Sequence, residues 1–213
     1  VIENIEEIPT VAVVILAPPF GGKSRISREL ATNYGFFHLE CGKLLDRTVK
    51  EREKFPPGVW VQMKNGQLVD DSLVIEVVDE YLPAKLPGKI IFDGFPRSTP
   101  QAEWLDNFFK RNQIIAYLVD LKVPDEVLFD RLETQPPDRT YDGEETRGDD
   151  NKNTLRSRLD RFNSYGPMIR EYFEHRGYES IEIDGRTSVE AVVLEIFAFM
   201  EQANERLNVS SFS

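Results

Sequence analysis

The run TVAVVIL, residues 10–16, is followed at once by APPFGGKSR and then by a stretch with helical spacing, and no other feature limits the fold as tightly. Its apolar, largely β-branched residues occupy both alternating faces. A strand of that kind is buried on both sides, as happens in parallel sheets covered by helices. Similar short runs recur at 36–39, 89–92 (KIIF), 114–121 and 179–183. Helical stretches separate them, at 24–34 (stopped by Gly35), 41–54 (broken by Pro56-Pro57), 70–81 (capped by Asp70 or Asp71), 99–111 (Pro100 in its first turn), 124–133 and 188–207, with a further turn or two at 59–64. Two more are expected late in the chain: one capped by Asp149 or Asp150 and running to about residue 162, and another over 167–176. This alternation predicts an α/β chain with a parallel sheet and helices on both faces.

One segment breaks the periodicity, TQPPDRTYDGEETRG at 134–148, which reads as an exposed lid or loop. Residues 1–9 are acidic, end in Pro9 and read as a loosely docked extension; residues 10–213 then form one domain. The net charge of −11 repels nucleic acid and anionic membranes as large surfaces. It leaves room for a small anion wherever the few cations gather. The apolar runs are too short to span a bilayer, and the first residues carry no secretory pattern. Cys41 is the only cysteine, which excludes an internal disulfide and a Cys-rich zinc site and suggests a reducing cytoplasm.

In an open parallel sheet ligands bind beyond the carboxyl ends of the strands, so the loops there are the places to look for chemistry. The first is LAPPFGGKSR. It ends in Gly22-Lys23-Ser24, as a G-x-x-x-x-G-K-[ST] phosphate loop requires, but Ala17 holds the first glycine position and Phe20 sits in the middle. Between a strand and a helix, the backbone N–H groups around Gly21 and Gly22 would point at a phosphate. Lys23 would reach the β- and γ-phosphates, and Ser24 either Mg²⁺ or a phosphate oxygen. On spacing alone, a Gly-Gly turn that opens a helix is the alternative. The second loop is Asp93-Gly94-Phe95-Pro96-Arg97, after KIIF. Asp93 suits a magnesium ion held through water, and Arg97 can fork onto a phosphate; the alternative is a plain turn with a surface arginine. A third group is Arg131, Arg147 and Arg158. Arg147 and Arg158 would lie about 16 Å apart on one straight helix, so they meet at one anion only if the chain bends, and Gly148 with Asp149-Asp150 supplies a bend. Solvated arginines paired with nearby acids are the alternative there. Cations converging from distant segments are the arrangement that phosphoryl transfer needs. His38 and His175 read as surface or structural residues.

With these residues in view, the chain resembles adenylate kinase and its nucleoside monophosphate kinase relatives. The most specific signature is Asp93 to Arg97, supported by Gln101-Ala102-Glu103, by Gly66-Gln67-Leu68-Val69, and by Arg147-x-Asp149-Asp150 with Arg158-Leu159. The resemblance implies a P-loop three-layer sandwich with a five-stranded parallel sheet, a monophosphate-binding helical segment at about 40–83 and a short lid at about 134–148. It implies transfer of a phosphoryl group from ATP to AMP with Mg²⁺ and no zinc, by a monomer whose partners are the nucleotides ATP, AMP and ADP. On the ATP side it places Gly21, Gly22, Lys23, Ser24, Arg131 and Gln135. On the AMP side it places Cys41, Gln67, Val69, Gly94, Arg97, Gln101 (reading the adenine edge), Arg147 and Arg158. Lys23, Arg97, Arg131, Arg147 and Arg158 would carry catalysis, with Asp93 (through water) and Ser24 near the metal.

Several positions depart from the family pattern. Cys41 replaces a hydroxyl that bonds the monophosphate, Lys43 an acid near the magnesium waters, Asp46 an arginine that pairs with the AMP phosphate, and Gln135 a lid arginine. Arg47 lies next to Asp46 but about 100° round the helix. Arg139 is a candidate to replace the lid arginine, whereas Asp142, Glu144 and Glu145 weaken attraction for a triphosphate. Two further readings therefore stand beside the first: a kinase of another monophosphate, or a degenerate nucleotide-binding or regulatory homologue with little turnover.

Overall fold

The computed structural model describes residues 9–51, 59, 69–134 and 151–210. Five strands form one sheet: β1 (Val11–Leu16), β2 (Phe37–Glu40), β3 (Lys89–Asp93), β4 (Ile115–Lys122) and β5 (Glu179–Asp184). Their order is β2-β3-β1-β4-β5, and every pair is parallel. The helices are α1 (Lys23–Tyr34), α2 (Cys41–Glu51), α3 (Asp71–Tyr81), α4 (Thr99–Arg111), α5 (Asp125–Thr134), α6 (Lys152–Glu174) and α7 (Val189–Ser210). The expected α/β class, five-stranded parallel sheet and helices on both faces are all present.

Strand β1 shows why its sequence is apolar at every position. Ala12, Val14 and Leu16 face one core with Leu39, Phe92 and Leu118, closed by Val74, Val77 and Val78 of α3, Leu105 and Phe109 of α4, and Ile169 and Phe173 of α6. Val13 and Ile15 face the other core, with Ile26 and Leu30 of α1, Val119, Ile183, and Val192 and Ile196 of α7. The period-two geometry of a strand divides one run between two layers of helix. Because β1 lies between β3 and β4, with Ile15 opposite both Asp93 and Val119, the loops after β1 and β3 leave the same end of the sheet side by side.

Local signals set most boundaries. Gly35 caps α1 at φ 73°, a left-handed conformation that glycine adopts without a side-chain penalty. Asp70 caps α3 by accepting from the Ser72 N–H, and Ser98 caps α4 by accepting from the Gln101 N–H. Val59 is helical and buried; the rest of the turn expected at 59–64 lies outside the described residues, as do the extension at 1–8, the end of the helix expected to reach 54, and most of the segment expected as a lid.

The largest correction concerns α6. The separate helices expected to either side of residues 163–166 are one helix of 23 residues, capped by Asn151, whose Oδ1 accepts from the N–H groups of Asn153 and Thr154 at 3.0 Å. Pro167 lies inside it. A proline removes one helical hydrogen bond, here the one to the Asn163 carbonyl, yet Asn163 and Pro167 are both exposed, where water can replace that bond. Meanwhile Leu155, Leu159, Gly166, Ile169 and Phe173 keep one buried stripe across the break. Gly166 fits because a Cβ there would come within 3.2 Å of the Phe162 ring. Since the proline ring itself buries little, Pro167→Ala is expected to raise stability in urea unfolding by about 1–3 kcal/mol. A loss of stability would mean that the ring packs against its surroundings after all.

Candidate active site

The phosphate loop begins where β1 ends. Gly21 donates its N–H to the Pro18 carbonyl at 3.0 Å, and a Cβ on Gly21 would come within 2.8 Å of that oxygen. Gly22 is the N-cap of α1 at φ 94°, with no side-chain cap bond and no acidic residue in the first turn. The N–H groups opening α1 therefore have no carboxylate of their own first turn to satisfy them, as suits an anion-binding helix end. Ser24 lies half-buried in this turn. Phe20 takes φ 61°, unusual for a bulky residue, and its carbonyl accepts from Arg131 Nη1 at 3.1 Å. Its ring packs on Leu128, Leu155 and Leu159. The bulky residue that seemed out of place thus anchors the loop to α5 and α6, at the cost of a left-handed backbone.

Arg131 also donates from Nη2 to the Gly185 carbonyl at 2.7 Å, so one guanidinium joins α5, the phosphate loop and the turn after β5. Its own charge is disfavoured by partial burial and by the neighbouring Arg25. Arg25 was not among the expected site residues; it directly follows Ser24 in the loop sequence and adds a second cation beside Arg131.

The second loop meets the first at an ion pair. Lys23 Nζ contacts Asp93 Oδ1, and His38 Nε2 lies 3.3 Å from Asp93 Oδ2. Burial works against the Asp93 charge, but the Lys23 cation and the hydrogen bonds from His38 and Lys23 outweigh it and hold the carboxyl well below the usual carboxylate range. His38, expected at the surface or in a structural role, is 14% exposed and belongs to this cluster. By contrast, His175 is 73% exposed at the end of α6.

Beyond Asp93 the loop turns at Gly94 (φ 79°) and carries a cis Phe95-Pro96 peptide. Arg97 Nε donates to the Gly94 carbonyl at 2.8 Å, and a Cβ on Gly94 would strike Arg97 Nη2 at 2.8 Å. Gln101 is 4% exposed; its Oε1 accepts from the Arg97 N–H at 2.8 Å and its Nε2 donates to Asp71 Oδ1 at 2.7 Å. Asp71, which the sequence marks only as a candidate helix cap, ties α3 to this loop and also accepts from Ser98 Oγ. Cys41, 3% exposed, opens α2 close enough to feel Arg97, Asp93 and Lys23; burial pushes its thiol up to about 11. Val69 packs half-buried against the core below. Lys43 pairs with Glu40 at 3.3 Å, so its charge is met within the same segment. Asp46 is half-buried and Arg47 exposed, which leaves the carboxylate on the more enclosed side of α2. Arg158 acts electrostatically on Arg161, as does Arg97, which brings α6 and the second loop together. Gln67, Gln135 and Arg147 lie outside the described residues, as do Arg139, Asp142, Glu144 and Glu145.

The buried pair sets a pH dependence. A carboxyl whose folded pKa is depressed stabilises the fold above its unfolded value, about 4, and loses that contribution as pH falls toward the folded value. Asp93→Asn is therefore expected to cost on the order of a few kcal/mol at pH 7 in urea unfolding, with a gap from the parent protein that narrows below about pH 4. A gap unchanged down to pH 3 would contradict the ion pair. The strain at Phe20 is separable from its packing. Phe20→Gly and Phe20→Ala both remove the ring, but only glycine relieves the left-handed backbone, so the glycine variant is expected to be the more stable by about 1 kcal/mol. The reverse order would place no strain at this residue.

The family model described as adenylate kinase matches residues 15–178. A relative named adenylate kinase from Agrobacterium fabrum is 32% identical over 194 residues, covering 90% of this chain and 98% of its own. Another from Nitrobacter hamburgensis is 30% identical over 203 residues, 93% and 96% of the two chains. A third, from Bacteroides fragilis, is 32% identical over 187 residues, 86% and 95%. With the phosphate loop, the Asp93–Arg97 loop and the parallel sheet between them in the places described, the chain belongs to the adenylate kinase family, enzymes that phosphorylate nucleoside monophosphates.

Proposed function

We propose that the protein transfers the terminal phosphoryl group of ATP to AMP and yields two molecules of ADP. The observation that carries this reading is the Lys23–Asp93 contact, which joins the two loops with Arg131 on one side and Arg97 on the other. A crevice with cations to either side of one lysine suits two phosphorylated substrates held end to end.

In this reading the N–H groups around Gly21, Gly22, Lys23 and Ser24 cradle the phosphates of ATP, and Arg131 braces the loop and faces the same charge. Arg97 and Arg158, with Arg147, take the AMP phosphate and the group in flight. An oxygen of the AMP phosphate attacks the γ-phosphorus in line while the bond to the β-phosphate oxygen breaks. Positioning and charge neutralisation do most of the work, because the transition state needs little covalent help. Gln101 holds its amide ready between Arg97 and Asp71, with one N–H left for an adenine edge. Segments at about 40–83 and 134–148 would act as the monophosphate-binding part and the lid, the lid closing to exclude water as an acceptor.

A Mg²⁺ ion arriving on the ATP phosphates would have Ser24 and, through water, Asp93 beside it, oxygen donors of the kind that ion takes; bound there, it would neutralise phosphate charge. Asp93 is already ionised by its partners and needs no proton loss for that role.

A coupled assay with ATP, Mg²⁺ and a panel of monophosphates tests the reading. AMP is expected to be the preferred acceptor, with two ADP formed per turnover, and Lys23→Met is expected to lower kcat by roughly a hundred- to a thousandfold. Preference for another base would favour a different monophosphate kinase. ATP binding without ADP formation from any acceptor would leave a nucleotide-binding homologue with no transferase role.

A further inference from the structure

Helix α6 carries Arg158, Arg161 and Tyr165 at spacings of three and four, so the side chains share one face. That face borders the buried stripe of Leu155, Leu159, Gly166 and Ile169. Arg161 is half-buried, and its Nε donates to the Ser157 carbonyl one turn back at 3.0 Å, which turns the guanidinium toward the N-terminal part of the helix, where Arg158 lies. Tyr165 packs its ring edge-on to Phe162, with centroids 5.6 Å apart, and against the core. On the facing side stands Arg97, pinned to the Gly94 carbonyl. Tyr165 acts on both Arg97 and Arg161, so the tyrosine lies within the electrostatic reach of each.

Like charges on separate elements therefore converge at one place. The charge on Arg161 is disfavoured first by burial, then by Arg158 and by Arg97. The other guanidinium groups make the Arg161 charge costly in this half-buried crevice, and a dianion placed among them adds an attractive pair with each. A phosphate monoester matches the demand: it carries up to two negative charges at neutral pH and accepts forked hydrogen bonds from more than one guanidinium.

We infer that Arg161 is a ligand of the acceptor's phosphate group, a second guanidinium from α6 beside that of Arg158. The choice of AMP as the acceptor rests on the proposed function. The recognition of a phosphate monoester rests on the cluster alone. Arg161 binds the acceptor and leaves the ATP side untouched, because Arg131 and the phosphate loop lie against α5 and the turn after β5.

Arg161→Gln and Arg161→Lys test this, with Arg206→Gln as a control for net charge. Arg206 pairs with Glu179 at the start of β5, the end of the sheet away from the loops. Affinities for AMP, for ATP and for inorganic phosphate are read by calorimetric titration, and turnover by the coupled assay. Arg161→Gln is expected to weaken AMP binding roughly tenfold or more and to raise the KM for AMP by a similar factor. Affinity for ATP should stay within about twofold, and kcat at saturating AMP within about threefold, since a ground-state phosphate contact is lost. Arg161→Lys should fall between, as a lysine keeps the charge but not the fork. AMP affinity unchanged in both variants overturns the inference; so do equal losses for AMP and ATP, or the same loss in Arg206→Gln. Should the parent protein turn over no AMP, the proposed reaction fails by itself. Inorganic phosphate then decides the role of Arg161: weaker binding in Arg161→Gln upholds it and equal binding ends it.

Discussion

Asp93 closes strand β3 with 1% of its side chain exposed, and it remains charged there only because Lys23 and His38 lie against it. A carboxylate buried without partners would take up a proton or unfold its surroundings. The lysine of the phosphate loop is therefore required by a buried neighbour, whatever else it meets. In the proposed reaction, a nucleotide that drew Lys23 toward itself would leave Asp93 to His38. The two loops then respond to one another through a single carboxylate. The sheet makes this possible, since β1 and β3 are parallel neighbours and end at the same level.

Charge is distributed unevenly over the molecule. A net charge of −11 is spread over the chain as a whole, yet Arg97 and Arg158 both act on Arg161 at one wall, and Arg25 acts on Arg131 at the other. The charge is disfavoured on Arg161 and on Arg131. The acidic remainder discourages polyanions, whose many phosphates would meet it. In the proposed reaction a small nucleotide would meet the cationic walls, so its binding would depend on where the arginines stand and not on how many there are.

Much of this was legible in the sequence. Strands buried on both faces, glycine stops and capping residues gave the alternation of elements, and the spacing of Gly22, Lys23, Asp93 and Arg97 placed chemistry at strand ends. What stayed hidden depended on register and on tertiary cover. His38 reaches Asp93 because Glu40 pairs with Asp93 across β2 and β3, which puts His38 diagonally next to it on the same face, and no linear spacing encodes that pairing. Pro167 reads as the start of a new helix, but the stripe of apolar residues on both sides of it is buried strongly enough to carry one helix through. Asp71 looks like a helix cap, and its partnership with Gln101 appears only when α3 packs on α4.

Phe20, Leu128, Leu155 and Leu159 form one small apolar cluster, with α5 ending at Thr134 and α6 beginning at Lys152 on either side of it. The intervening connection therefore leaves and re-enters the fold at nearly the same place. The entropy of closing a chain between two fixed points grows only with the logarithm of its length, about 0.6 kcal/mol for each doubling. The length of this connection is thus almost free of thermodynamic constraint. Insertions and deletions there can be selected for their own effects, with little consequence for whether the protein folds.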